Sequence, residues 1–173
     1  MLTLSWTPQP LVGGPPILTS LTRRETMQLR RLAQRALVVE IGSAYGFSTI
    51  VMAQVARRVI AIDPHEEIGE SLEKLQRNLI AYGVEAWVDL ILEPSGVAMP
   101  KLAADSADLV FIDGCHHESE VAQDVHEAMR VVRRGGHVAV HDYDEAIQPA
   151  IKPVCDVLLS RGRLVDTLWV WQK

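Results

Sequence analysis

The chain has 173 residues, 48% hydrophobic and 23% charged, and carries 17 Lys and Arg against 22 Asp and Glu for a net charge of −5. This is the composition of an ordinary soluble globular protein with one core, and no segment supplies the unbroken apolar run of about 20 residues that spans a bilayer. The acidic balance argues against a nucleic-acid substrate, because affinity for a phosphate backbone rests on clustered Lys and Arg.

Residues 1 to 8 lack both a basic and an apolar leader region, so no signal peptide is read and cytoplasmic residence is the default expectation. Pro8, Pro10, Gly13, Gly14, Pro15 and Pro16 resist helix and central strand alike, which predicts an N-terminal arm or lid over residues 1–21 ahead of one domain over 22–173. Thr22-Arg23-Arg24-Glu25 has capping-box spacing and predicts a helix from about 22 to 34. Arg23, Arg24, Arg30, Arg31 and Arg35 recur at helical spacing among Leu29 and Leu32, the pattern of a solvated helix face.

Short runs rich in β-branched residues follow at 37–41, 58–62, 88–92, 108–112 and 137–141. They alternate with helical stretches at about 46–56, 67–82, 96–104 and 119–133. A further helix is expected from Pro149 to about Ser160, and 163–172 reads as one last strand or a very short hairpin. Such apolar strands with helix-length connections imply a doubly wound α/β fold, a mainly parallel sheet of six or seven strands covered on both faces. Gly135-Gly136 is expected at a helix exit that needs φ above zero. Trp169 and Trp171 share one face of the last strand, a pattern for core, lid or subunit contact. Cys115 and Cys155 have no metal-type spacing and read as reduced thiols.

In open α/β sheets ligands bind beyond the carboxyl ends of the strands. The first strand ends in Glu40-Ile41-Gly42, and Gly42 and Gly46 allow a tight turn with close approach to the main chain. Ser48 and Thr49 fall in the first turn of the next helix, where free N–H groups and hydroxyls can hold a polar group. Asp63 closes the second strand roughly 20 residues on, the position for accepting ribose hydroxyls. Turn and carboxylate together indicate an adenosine-type cofactor. The Gly-x-x-x-Gly spacing, with Ala44 where a middle glycine would fall, disfavours a dinucleotide, and the absence of Gly-Lys-Ser/Thr excludes a P-loop.

Val39-Glu40-Ile41-Gly42-Ser43-Ala44-Tyr45-Gly46-Phe47-Ser48-Thr49 resembles the first motif of the class I S-adenosylmethionine-dependent methyltransferases, in the form found in small-molecule O-methyltransferases. The resemblance spans residues 37 to about 145. It implies that Glu40 and the backbone around Gly42 and Ser43 hold the methionine part of S-adenosylmethionine, with Ser48 nearby, that Tyr45 and Gly46 belong to the same cofactor site, and that Asp63 takes the ribose. Where such families often carry Gly-Asp-Ser after the third strand, this chain has Glu93-Pro94-Ser95. Ser95 is then the candidate for adenine, with Glu93 behind it.

The fourth and fifth strands run into Asp113-Gly114-Cys115-His116-His117-Glu118 and His141-Asp142-Tyr143-Asp144. These loops neighbour each other, so Asp113, His116, His117, His141, Asp142 and Asp144 can converge. Methyl transfer needs a positioned nucleophile whose proton is removed, work suited to a histidine or to a divalent ion that lowers the pKa of a bound hydroxyl. Aspartates 113 and 142 offer oxygen ligands to Mg²⁺ or another divalent cation, or else cap the following helix or hold loop backbone N–H groups while the histidines merely hydrogen-bond there. The two segments resemble methyltransferases whose strand ends read Asp-Gly-x-His and His-Asp-Tyr. They are similar, more distantly, to metal-dependent catechol-type enzymes. That likeness implies Asp113 and Asp142 as metal aspartates, with Asp113 also at the cofactor, and His116 and Asp113 as the catalytic residues, His116 being the base ahead of His117 and His141. Tyr143 stands where those enzymes have an asparagine ligand.

The expected activity is methyl transfer to a small-molecule acceptor, more readily oxygen than nitrogen, with no nucleic-acid or membrane partner. With so short a chain, a neighbouring copy in a homo-oligomer would help to enclose the acceptor. The competing readings are a nicotinamide-dinucleotide oxidoreductase and a non-catalytic S-adenosylmethionine-binding module.

Overall fold

The computed structural model describes residues 14–66 and 70–173. Most of the expected arm, and the start of the helix expected at 67, lie outside the described residues. Among them, no helix is long and apolar enough to cross a membrane.

Helix α1 (Arg23–Leu32) begins at the capping box: Thr22 Oγ1 accepts from Glu25 N–H, and Glu25 Oε2 accepts from Thr22 N–H at 2.7 Å. The five arginines of this region are exposed while Leu29 is wholly buried, so the basic cluster is a solvated face. Burying such a leucine contributes about 1.5–3 kcal/mol. Upstream, Ile17 and Leu21 are buried in the same core, and Tyr82 OH donates to Pro15 O at 2.6 Å.

The strands are β1 (Leu37–Ile41), β2 (Arg58–Ile62), β3 (Val88–Ile91), β4 (Ala107–Ile112), β5 (Val132–Val140), β6 (Arg163–Val165) and β7 (Leu168–Gln172). They form one sheet in the order β3-β2-β1-β4-β5-β7-β6. The first five run parallel, β7 pairs antiparallel with β5, and β6–β7 is the short hairpin. Seven strands in a mainly parallel sheet match the expected fold class. One hydrophobic core includes residues of α1, α2 (Phe47–Ala53) and α3 (Ser71–Ala81). The other includes residues of α4 (Ser95–Ala98), α5 (Glu118–Val131) and α6 (Ile151–Leu158).

Two local expectations are corrected. The helix expected at 96–104 is the single turn α4 followed by a 3₁₀ turn, Met99–Lys101, because Pro100 has no N–H to continue α-helical bonding. Gly135-Gly136 is not at the exit of α5. That helix passes straight into extended backbone at Val132, and Gly135, with φ +76°, kinks β5 from within. Trp169 and Trp171 are half-buried, Trp169 stacking on Tyr143 at 4.5 Å between ring centroids and donating to Leu159 O. Neither cysteine is in a disulfide.

Candidate functional site

The strand order reverses between β1 and β4, and the carboxyl ends of β2, β1, β4 and β5 lie side by side there. The ladder extends one residue past the strands: Asp63 N–H donates to Ile91 O, Gly42 N–H to Ile62 O, Asp113 N–H to Ile41 O and His141 N–H to Ile112 O. This register aligns the chemically loaded residues along one edge.

The glycine turn is left-handed at three residues, with φ +86° at Gly42, +41° at Ala44 and +88° at Gly46. A Cβ on Gly42 would stand 2.1 Å from Asp113 O, so glycine there is what lets the turn press against the end of β4. Asn78 Nδ2 ties the turn to α3 by donating to Tyr45 O at 2.8 Å, and Lys74 lies over the Tyr45 ring.

Glu40 lies beneath the turn, fully buried, and accepts from Ser48 Oγ at 2.5 Å and Thr49 Oγ1 at 2.6 Å. Burial pushes its carboxyl up to about 8, against the pull of those two hydroxyls and with help from the charges of Asp113 and Asp63. The folded protein therefore holds this proton more tightly than the unfolded chain. The resulting stabilisation is complete below about pH 4.5 and is lost as pH rises through about 8. Glu40→Gln is expected to gain on the wild type over that interval by about 1 kcal/mol per pH unit. Parallel denaturant titrations at pH 5 and 8 check this, and an unchanged difference between the two proteins would contradict it.

Asp63 serves the turn directly. Its Oδ2 accepts from Ser43 N–H and Ala44 N–H, each at 2.9 Å, and its Oδ1 from His65 N–H at 2.8 Å. A carboxylate offers about four acceptor sites, which leaves room for a further donor. At the end of β3, Glu93 is ion-paired with Lys101 at 2.6 Å, and the Ser95 hydroxyl bonds the buried Asp124. Burial pushes the Asp124 carboxyl up to about 6, and the bond from Ser95 opposes this.

At the ends of β4 and β5 only part of the expected cluster converges. His141 is 2% exposed, with Nδ1 3.3 Å from Asp113 Oδ1 and 3.2 Å from Asp142 Oδ1. Nδ1 nevertheless has no well-aligned hydrogen-bond partner among the described residues. Burial alone would lower the His141 pKa, but the carboxylates of Asp113, Asp142 and Glu25 push it to about 12. His116 Nε2 lies 3.2 Å from Asp142 Oδ2, and that contact raises its pKa against the effect of burial. His117 is exposed at the start of α5, and Asp144 accepts from Ala146 N–H in its own loop, so both stand outside the cluster. Neither Asp113 nor Asp142 caps the following helix; both side chains lie beside the histidines.

Two residues of this edge were not read as site residues from sequence. Glu25 was visible only as half of a capping box. In the fold it is completely buried, accepts from Thr167 N–H and Oγ1 at 2.7 and 2.8 Å, and stands 3.5 Å from His141 Nε2. His65, two residues past the ribose position, sits between Ser43 and Ser71. No local signal separates either residue from a surface helix or loop residue. A groove of about 410 Å³ lies beside Tyr45, bounded by Pro16, Leu18, Lys74 and Arg77, and its lining does not include the Asp113–Asp142 cluster.

A mainly parallel seven-stranded sheet with an antiparallel last strand, a glycine turn after β1 and acids closing β2 and β4 define the Rossmann-like methyltransferase fold. The family model for a methyltransferase domain matches residues 39–143, and the chain belongs to that family. It is 32% identical over 147 residues to the catechol O-methyltransferase of Mycobacterium tuberculosis (strain ATCC 25618 / H37Rv), a match covering 75% of this chain and 66% of that protein. The chain thus spans just under two thirds of the length of that relative. Among solved structures it is similar to cofactor-bound Rv0187 from MTB, with TM-score 0.66, 27% identity and coverage of 79% of this chain and 68% of that one. It also shares the fold of TomG from Streptomyces achromogenes, an O-methyltransferase in complex with SAM, with TM-score 0.70, 19% identity and coverage of 89% and 82%. Neither the nicotinamide reading nor the non-catalytic one finds support among them.

Proposed function

We propose that the chain transfers the methyl group of S-adenosylmethionine to a hydroxyl oxygen of a small-molecule acceptor. The observation that carries this reading is one edge holding a glycine turn backed by Glu40 and Asp63 beside a carboxylate–histidine cluster at Asp113, His141 and Asp142. The cofactor's methionine part goes to Glu40, Gly42, Ser43, Tyr45, Gly46, Ser48 and Asp113, its ribose to Asp63, and its adenine to Ser95. A cationic sulfonium entering near Glu40, Asp63 and Asp113 is favoured by their charge, and it draws Glu40 toward its ionised form. The TomG complex and the catechol O-methyltransferase relative support cofactor and acceptor class. Following S-adenosylhomocysteine release across catechol-type and other hydroxyl acceptors tests the reading, with turnover of at least one acceptor expected. Cofactor binding without turnover of any acceptor would leave a binding module instead.

His116 is the general base of this proposal. Its raised pKa means that its neutral, proton-accepting form gains population only as pH climbs past the ordinary histidine range. Asp113, His141 and Asp142 fit a divalent cation: one ligand atom from each lies within 4.8 Å of the others, and the buried His141 Nδ1 has no aligned partner among the described residues. Glu25 faces the opposite ring nitrogen, the arrangement that fixes the orientation of metal-bound imidazoles. Bound there, an ion would lower the pKa of the acceptor hydroxyl. An imidazole among the donors suits Mn²⁺ or Zn²⁺ at least as well as Mg²⁺. Chelator is expected to abolish turnover and to lower the melting temperature, with each cation tested for restoring both; full activity in chelator would remove the ion from the proposal. The acceptor is a small molecule and not a nucleic acid, and the protein acts in the cytoplasm.

A further inference from the structure

Gly42 and Gly46 adopt left-handed backbone freely, but at Ala44, with φ +41°, it carries a steric cost. Such a turn persists only where its surroundings hold it. Part of the hold is the Asp63 carboxylate on the Ser43 and Ala44 amides. Asn78 Nδ2 holds Tyr45 O from α3, and a further hold comes from one buried side chain at Ser43. The His65 ring is 3% exposed, with Nε2 3.3 Å from Ser43 Oγ and Nδ1 2.8 Å from Ser71 Oγ, and its own backbone N–H donates to Asp63 Oδ1. Ser71 is the first residue of α3 and is 2% exposed; Ser43 is 3% exposed.

We infer that His65 is a positioning residue of the cofactor site, clamping the glycine turn through Ser43 to the start of α3 through Ser71. The inference rests on the S-adenosylmethionine reading above, which assigns no role to His65. An imidazole suits the position because a rigid ring presents two nitrogens on different sides, a donor and an acceptor in the neutral form. Each serine hydroxyl can supply the complementary partner. Asparagine or glutamine presents a single amide and reaches one serine at a time. His65 also carries φ +56°, so the residue that holds the strained turn is itself held in a strained conformation by Asp63 and the two serines. The clamp orders the turn amides and sets cofactor affinity.

The test measures hydrogen exchange at the amides of residues 43–46 in cofactor-free protein and S-adenosylhomocysteine affinity by calorimetry. His65→Ala is expected to speed exchange at Ser43 and Ala44 and to weaken the nucleoside product by about tenfold, the scale of one or two lost hydrogen bonds. His65→Gln, whose amide can hold one of the two serines, is expected to recover part of both. The double variant His65→Ala/Ser71→Ala is expected to be no weaker than His65→Ala, because the two residues act through one contact. Ser71→Ala alone moves the same readouts in the same direction and serves if His65→Ala does not fold. Unchanged exchange and affinity in both single variants, or strictly additive losses in the double, would overturn the clamp. If the wild type binds no S-adenosylhomocysteine, the cofactor reading fails on its own, and the exchange data still decide whether His65 holds the turn.

Discussion

Gly42→Ala is expected to cost more than about 3 kcal/mol and to eliminate cofactor binding. Two effects combine. At φ +86° a Cβ clashes with its own backbone, and the added atom would stand 2.1 Å from Asp113 O, 2.6 Å from Asp113 C and 2.8 Å from Gly114 Cα. All three are main-chain atoms at the end of β4, so no side chain can swing aside to relieve the contact. The ends of β1 and β4 must part, and Asp113 N–H loses its bond to Ile41 O. A drop of roughly 6–12 °C in melting temperature should accompany the loss of binding. Gly83→Ala is the control: φ there is +63°, but nothing lies within 4 Å of the added carbon, so only the backbone penalty of about 1–2 kcal/mol applies. Equal melting temperatures for Gly42→Ala and the wild type would refute the account of the turn.

Glu25→Ala should destabilise the protein by about 3–5 kcal/mol, far beyond the roughly 1 kcal/mol expected for the loss of a helix cap. Its buried carboxylate accepts from Thr22 N–H, Thr167 N–H and Thr167 Oγ1 and faces the buried His141. These contacts hold its pKa down at about 2 despite burial. Removing it strands the donors of Thr22 and Thr167 and leaves the buried His141 ring with one carboxylate fewer. Activity should fall further than stability predicts, because His141 loses the contact that orients its ring toward Asp113 and Asp142. Chemical denaturation together with turnover under folding conditions separates the two effects. A loss no larger than that of Thr22→Ala would reduce Glu25 to a capping residue.

The two substitutions differ in how far they could be foreseen. Gly42 was marked by its place after an apolar strand and by Gly46 four residues on, a local pattern that needs no knowledge of what packs against it. Glu25 was equally visible as a capping box, but its second role depends on β7 and β5 meeting beside α1, contacts made 142 and 116 residues further along the chain. The shortened helix at 95–98 could have been anticipated from Pro100. The extended start of β5 could not, because it depends on Ala107 pairing with Val132 across the sheet.

By itself the sequence determined the alternation of strands and helices, the mainly parallel sheet and the glycine turn with its carboxylate at Asp63. All of these are written in periodicity and in residues whose backbone requirements are local. Only the tertiary structure decided that His141 and not Asp144 stands between the two aspartates, that His117 faces away, and that Asp63 and His65 grip the turn. Those outcomes depend on strand register and on loop paths, and a shift of one residue in register would move each side chain to the opposite face of the sheet.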